Sequence, residues 1–257
     1  MRAGDAVTPL VLTRDEAPNL ARCLDSLTWA SKVVVVDSGS TDGTQAIAGR
    51  YPNVALFTRT FDGFKGQTEY ALRETGVTSE HALALDADMV VSPALLAEIE
   101  GPYLEGGFSA GMIPFEYRIF GQPLLGSLLG PQLRLFKRGE VRVVQEGHGH
   151  KFAVDGPVRR FSARLIHDDR KALDRWASSQ IGYSRHEQER MARAGGSSFK
   201  DKLRRAGVMP LVAGTLAYAR AGGPLRGGAA LRYAYERAVF ECLLSMRLLE
   251  EDAPKDR

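Results

Sequence analysis

Four consecutive valines at residues 33–36 run straight into Asp37-Ser38-Gly39-Ser40-Thr41-Asp42-Gly43-Thr44. β-branched residues without polar alternation suit a strand covered on both faces, the condition of a central strand in a parallel sheet. The abrupt change to carboxylates, hydroxyls and glycines marks the carboxyl end of that strand, the edge at which such sheets meet ligands. A second apolar run, Leu83-Ala84-Leu85, ends in the same way at Asp86-Ala87-Asp88. Hard carboxylate oxygens two residues apart suit a divalent cation, Mg2+ or Mn2+, held against phosphate oxygens.

The pattern around these runs alternates. Residues 7–12 read as a strand, and Leu20, Cys23, Leu24 and Leu27 follow at helical spacing. Residues 54–57 and 82–85 read as two more strands. A helix with Ala46, Ile47 and Tyr51 on its inner face, capped by Ser40 or Thr41, is expected before the first of these, and another over residues 68–74 between the two. The alternation predicts an α/β fold, a parallel sheet with right-handed crossovers forming a Rossmann-like nucleotide-binding half. After Pro93 the regularity breaks down. Residues 109–120 and 132–137 look like strands of a mixed sheet, and 121–130 like an apolar loop punctuated by Gly and Pro. Residues 141–167 look hairpin-rich, with His148, His150 and His167. From Leu173 onward the pattern is helical, with two apolar helices expected near 203–218 and 229–249. The expected division is a catalytic domain over 1–195 and a helical C-terminal extension over 196–257.

A chain of 257 residues that is 44% hydrophobic and 25% charged can bury a large core. Its net charge of +3, spread without a long basic block, argues against nucleic acid as a partner. Cys23 and Cys242 lie within apolar helical patterns and are expected as small core residues in a reducing compartment. Residues 1–5 hold no apolar leader, and 208–219 is too short to span a bilayer, so a cytoplasmic location is expected. Lys200, Lys202, Arg204 and Arg205 precede that apolar stretch, and Arg220, Arg226 and Arg232 recur around it. This mixture suits peripheral contact with the inner face of a membrane. The alternative is packing or a dimer contact, with Leu243, Leu244, Leu248 and Leu249 at core-like spacing.

Taken in order, six segments carry a resemblance: Leu12-Thr13-Arg14-Asp15-Glu16, the run 37–44, residues 67–72, Asp86-Ala87-Asp88, Arg134-Leu135-Phe136-Lys137-Arg138, and His167. With them the chain resembles family 2 glycosyltransferases of the GT-A fold, in particular the lipopolysaccharide core β-glucosyltransferase branch, over about residues 7–185. The resemblance implies a metal-dependent enzyme that moves a sugar, with inversion, from a nucleotide diphosphate donor to a hydroxyl of a cell-envelope glycolipid or polysaccharide. It assigns Thr13, Glu16 and Asp37 to the donor base and ribose, Asp86 to the ribose, and Asp88 with His167 to the cation. A carboxylate at Asp37 suits a uracil imide, which points to a uridine nucleotide.

Two departures matter. Where many members read Gln-Lys-Asn, this chain has Gln67-Thr68-Glu69, so the donor-side cation would have to come from Lys65 or Arg59. Where the branch carries a His-Glu pair, this chain has His150-Lys151, which leaves Glu146 or His148 as candidate bases for the acceptor hydroxyl. Plainer readings stand beside these. Asp37 and Asp42 suit turn and cap positions, Asp86 and Asp88 a helix cap, His167 a surface turn, and Arg134 with Lys137 and Arg138 a solvated strand edge. Two other functions also remain open: transfer to a polyprenyl phosphate, which needs no base, and nucleotide-sugar binding without turnover.

Overall fold

Every residue of the valine strand and its terminal aspartate is buried. The computed structural model describes residues 2–146, 149–193 and 198–252. In chain order the first elements are α1 (Ala3–Ala6), β1 (Val7–Thr13), α2 (Leu20–Asp25), β2 (Val33–Asp37), α3 (Thr44–Ala48), β3 (Val54–Thr58), α4 (Phe64–Arg73) and β4 (His81–Asp86). There follow β5 (Met89–Val91), α5 (Pro93–Glu98), β6 (Ala110–Ile113), β7 (Phe115–Ile119), β8 (Gln122–Pro123), β9 (Gln132–Lys137), β10 (Arg142–Glu146), β11 (Gly149–Ala153), β12 (Val158–Arg160) and β13 (Leu165–His167). The remaining elements are helices: α6 (Leu173–Arg193), α7 (Phe199–Arg205), α8 (Met209–Ala221) and α9 (Gly227–Asp252).

The chain divides into two compact units, one formed by Met1–Tyr117 with Leu129–Arg170, the other by Arg118–Leu128 with Lys171–Arg257. In the first unit a seven-stranded sheet has the order β12-β6-β9-β4-β1-β2-β3. Strands β4, β1, β2 and β3 are mutually parallel, whereas β9 runs antiparallel to both β4 and β6. The register sets Thr13 beside Asp37 and Leu12 beside Asp86. Three strand ends therefore deliver their polar residues to one level of one edge. Two apolar layers cover the sheet. One gathers Val33 and Val35 with Leu20, Leu24 and Leu27 of the α2 region, the other Val34 and Val36 with Ala71 and Leu72 of α4. Alternate valines thus serve opposite faces, as the unbroken β-branched run requires.

The structure departs from the local expectations where backbone chemistry overrides pattern. The strand expected over 109–120 is cut into β6 and β7 at Pro114, which has no N–H to donate to a ladder. The N-cap position of α3 is Gly43, at φ +92°, and no side chain caps it there, so neither Ser40 nor Thr41 fills that role. The helix expected near 203–218 is two helices parted at Gly207, where φ is +68°.

The second unit is helical. Within it, the Leu125 amide donates to Ala221 O and the Leu128 amide to Tyr233 Oη, fixing residues 118–128 on the α8–α9 turn. Ser198 and Asp201 form a capping box at the start of α7. Arg204 is buried and bonds Glu241 twice, at 2.8 and 3.0 Å. Cys23 is buried as expected, whereas Cys242 is exposed on α9.

In β6, a Cβ at Gly111 would stand 2.5 Å from the Phe161 ring. Gly111→Val is expected to lower unfolding stability by about 1–3 kcal/mol, because a packed ring must move to admit it. Urea denaturation checks this, with Gly130→Ala as a control, since a Cβ there meets nothing within 4 Å.

Candidate active site

The loops that follow β1 and β2 are bonded to each other. Asp37, wholly enclosed, accepts five hydrogen bonds: from Thr13 Oγ1 at 3.0 Å, the Gly39 and Ser40 amides, Ser40 Oγ, and Gln45 Nε2 at 2.6 Å. The Asp15 amide donates to Ser40 Oγ at 2.7 Å and the Thr41 amide to Asp15 Oδ1 at 2.8 Å. The Glu16 amide donates to Thr44 Oγ1 and the Ala17 amide to Asp42 Oδ2. Asp15 holds φ at +53°, a left-handed conformation unfavourable for most residues, and these bonds on both its backbone and side chain stabilise it there. Gly39, at φ +83°, makes the turn that aims two amides at the Asp37 carboxylate.

This tight coordination has an electrostatic consequence. Burial pushes the Asp37 carboxyl up, but the bonds from Ser40, Gln45 and Thr13 outweigh it and hold the group below its ordinary value of 3.8. Asp42 and Thr44 brace the same loop, so Asp37 and Asp42 both serve as turn residues in this structure. Gln67 is also buried. It accepts from Arg59 and donates to Ser38 Oγ and to the Arg59 and Thr60 carbonyls, which joins the ends of β2 and β3. Arg59 pairs with Asp62 at 2.6 Å, and Lys65 stands on the first turn of α4, 4.0 Å from Glu69.

At the end of β4, Asp86 pairs with Arg134 at 3.2 Å. Burial raises the Asp86 carboxyl, and Arg134, then His167 and His150, outweigh that and pull it below its usual range. Arg134 is therefore no solvated strand-edge residue. Its side chain is largely covered, lies over the Phe115 ring and bonds Gln132 as well. Asp86 and Asp88 cap no helix, because the chain turns directly into β5.

Strand β5 pairs with β13 in a register that sets Met89 beside His167, and this brings Asp88 Oδ2 to 3.7 Å from His167 Nε2. Tyr117 stacks on the His167 ring at 4.7 Å. Among the described residues no group of three or more His, Cys, Asp or Glu gathers as a metal cluster. The pair itself fits a cation. Cis donors on an octahedral ion at about 2.1 Å stand about 3 Å apart, close to the spacing seen, and the two side chains are 12% and 19% exposed. His167 Nδ1 is buried without a hydrogen-bond partner, so stacking rather than a second hydrogen bond fixes the ring. Beneath them Cys23 is buried, and burial followed by the Asp88 and Asp86 charges pushes its thiol up, which leaves it protonated and inert.

Sequence reasoning missed a clamp behind His167. Asp168 is 2% exposed and pairs with Arg22 at 2.9 Å and Arg170 at 2.8 Å. Asn19 Nδ2 donates to Glu16 Oε2 and to Asp169 Oδ1, while its own carbonyl accepts from the Arg170 amide and from Arg22. The segment after His167 is thereby bound to the loop after β1, and the surface-turn reading of His167 does not hold. The available signal was the Asp-Asp-Arg run itself, three charges directly behind a strand.

Of the candidate bases, Glu146 ends β10, but its side chain and His148 lie outside the described residues. His150, in β11, is described. Thr68 Oγ1 donates to Phe64 O at 2.8 Å and stands 3.2 Å from His150 Nε2, which assigns the ring proton to Nε2 and a lone pair to Nδ1. Burial, with Arg134 adding and Asp86 opposing, holds His150 below 6.5. Thr68, Asp86, Arg134 and His150 line one small recess at the sheet edge.

A sheet of this order with carboxylates gathered at its parallel strand ends is the GT-A arrangement. Two solved structures share the fold. Staphylococcus aureus TarS residues 1–349 in complex with UDP-GlcNAc aligns over 98% of this chain and 92% of that one, with TM-score 0.53 and 14% identity. Glucosyl-3-phosphoglycerate synthase from Mycobacterium tuberculosis, in complex with phosphoglyceric acid, aligns over 75% and 81%, with TM-score 0.52 and 15% identity. Residues 10–163 match glycosyl transferase family 2, and the chain belongs to that family. Among curated proteins it is 29% identical over 93 residues to the lipopolysaccharide core biosynthesis glycosyltransferase LpsC of Rhizobium meliloti, covering 35% of this chain and 34% of that protein. It is 33% identical over 97 residues to an uncharacterized glycosyltransferase of Rickettsia felis, covering 37% and 33%. Each alignment thus spans about a third of the curated relative's length.

The depressed Asp37 value makes an acid-side prediction. Its folded value lies below 3.8, so as pH falls the unfolded chain binds the proton first. The stabilisation from Asp37 is complete above that ordinary value and is lost as pH drops through the folded one. Thermal unfolding between pH 6 and pH 3 is expected to show a shallower loss of Tm for Asp37→Asn than for the wild type, from a lower starting point. Parallel curves would contradict it.

Proposed function

We propose that this chain transfers a sugar from a UDP-linked donor to a hydroxyl of a cell-envelope glycolipid or polysaccharide, with inversion at the anomeric carbon. The observation that carries the reading is the meeting, around the carboxyl ends of β1, β2 and β4, of the cross-bonded β1 and β2 loops, the Asp86–Arg134 pair and the Asp88–His167 pair. Family membership supports the transferase chemistry, and the UDP-GlcNAc bound to TarS supports the donor class. The name of LpsC supports a cell-envelope acceptor.

In this reading Glu16 faces the donor nucleoside, and Asp37, with the buried Thr13 bonded to it, acts by holding the Ser38–Ser40 turn that the uracil and ribose meet. Gln67 fixes that turn from the β3 side, and Lys65 supplies positive charge at the start of α4. Asp86, kept ionised by Arg134, accepts from ribose hydroxyls. Asp88 and His167 would hold Mg2+ or Mn2+. A bound divalent cation supplies charge neutralisation to the departing diphosphate. Glu146 or His148 takes the proton of the acceptor hydroxyl, which attacks the face of the sugar opposite the leaving group.

The test pairs metal titration with turnover. Asp88→Asn is expected to weaken Mn2+ binding by about 100-fold and to remove transfer from UDP-sugars, with the circular dichroism spectrum unchanged. In the same assay Glu146→Gln lowers the rate by about 10²–10⁴-fold while donor affinity is kept. Full turnover by Asp88→Asn in chelator-treated buffer would contradict the metal assignment.

A further inference from the structure

Helix α8 of the second unit is packed inside out. On α8 the buried positions are Met209, Ala213, Ala217 and Ala221, mostly small, whereas Leu211, Val212 and Leu216 are exposed, Leu211 to 75%. A helix of a water-soluble core shows the reverse pattern, with large apolar side chains turned inward. Small residues allow close approach of the neighbouring helix: a Cβ at Gly214 would lie 3.2 Å from that of Ala238 on α9. Packing through small residues, with large ones facing outward, is the habit of helices whose surroundings are themselves apolar. At the α8–α9 turn Leu225 is 82% exposed, and Leu231 and Tyr235 continue the exposed apolar positions on α9 at a spacing of four.

Charge separates two occupants. From residue 206 to residue 235 there is no Asp or Glu, and the charged residues are Arg220, Arg226 and Arg232. A second copy of the chain would bring like charges together, which is unfavourable, whereas anionic headgroups complement them. The structure also narrows which cations are available. Arg204 is buried with Glu241, Arg205 pairs with Glu251 at 3.8 Å, and Arg232 pairs with Glu236 and lies over Phe120 and Trp176. Lys200, Lys202 and Arg220 remain exposed. Among the described residues no helix is long and apolar enough to cross a membrane. Leu244 and Leu248 are fully buried, so the inner side of α9 belongs to the unit's own packing, whereas Leu249 is exposed.

We propose that the α8–α9 hairpin is a docking surface for an anionic lipid membrane, with Leu211, Leu216 and Leu225 entering the acyl boundary and Arg220 meeting headgroups. The inference rests on the second unit alone and does not depend on the glycosyltransferase reaction proposed above. The experiment is flotation of the full chain with vesicles of phosphatidylcholine alone or mixed with phosphatidylglycerol, at low and high salt. Binding is expected to the mixed vesicles and to weaken with salt. The triple variant Leu211→Ser, Leu216→Ser, Leu225→Ser should lower partitioning at least about tenfold, and Arg220→Gln by a smaller factor. These side chains are exposed, so folding is checked by an unchanged melting temperature, and UDP binding measured on the same samples should be unaffected. Failure of the full chain to float with anionic vesicles at low salt would overturn the proposal. So would a dimer in light scattering that the triple variant converts to monomer with vesicle binding unchanged, because the face would then be a contact between copies. Absent UDP binding with intact flotation would count against the proposed reaction and leave the docking surface standing.

Discussion

The Asp37 carboxylate is the constraint on which the sheet edge depends. A buried anion is costly unless its lone pairs are filled, and five donors from three segments converge on this one. Filling them draws Thr13 at the end of β1, the Gly39–Ser40 turn and Gln45 of α3 into a single arrangement. The loop after β1 then has little freedom left. Asp15, Glu16 and Ala17 each donate an amide to a side chain of the loop after β2 or of the first residue of α3, so ordering one loop orders the other. Catalysis by charge stabilisation rewards such preorganisation, because no loop has to be ordered when the ligand arrives.

The Asp88–His167 side of the site is built by a different device. Asp88, just before β5, and His167, at the end of β13, are far apart in sequence and meet because β5 and β13 pair at Met89 and His167. Three charged or polar side chains behind them, Asn19, Arg22 and Asp168, hold the segment after β13 against the start of α2. Asp168 is as enclosed as a core leucine, and two guanidiniums compensate it. Removing one partner of such a pair is strongly destabilising, since the remaining charge stays buried. The position of His167 is thus tied to the same β1 loop that Asp37 orders, through the Glu16–Asn19 bond.

Much of this was legible in the sequence because parallel strands buried on both faces leave an unmistakable apolar run. The valines of β2 and the Leu83–Leu85 run of β4 gave both the strands and the carboxylates at their ends. The half after β4, which mixes parallel and antiparallel pairs, was less legible. Its strands are short, and Pro114 divides one expected strand for a backbone reason that periodicity does not record. At the site, the sequence pointed to Asp86, Asp88 and His167 but not to their supports, because an Arg22–Asp168 pair spans 146 residues and has no spacing rule. Asp37 was foreseen as a ligand-facing group, and its saturation by its own loop could not be foreseen, since the left-handed backbone at Gly39 and Asp15 decides it. In the helical unit, apolar periodicity was plain, but which side faced inward depended on the Ala and Gly positions that let α8 approach α9 closely.

The central claim is that the ordered strand-end loops form a donor site for a nucleotide sugar. Differential scanning of the full chain against a panel of nucleotide sugars, each with and without Mn2+, tests it most directly, because a ligand that binds the folded state alone raises the melting temperature by mass action. The account predicts that uridine diphosphate sugars raise Tm by several degrees, that Mn2+ enlarges the shift, and that guanosine and cytidine counterparts give little. At 100 times Kd the stabilisation would be about 2.7 kcal/mol. A panel in which no nucleotide sugar moves Tm, with or without Mn2+, would contradict it.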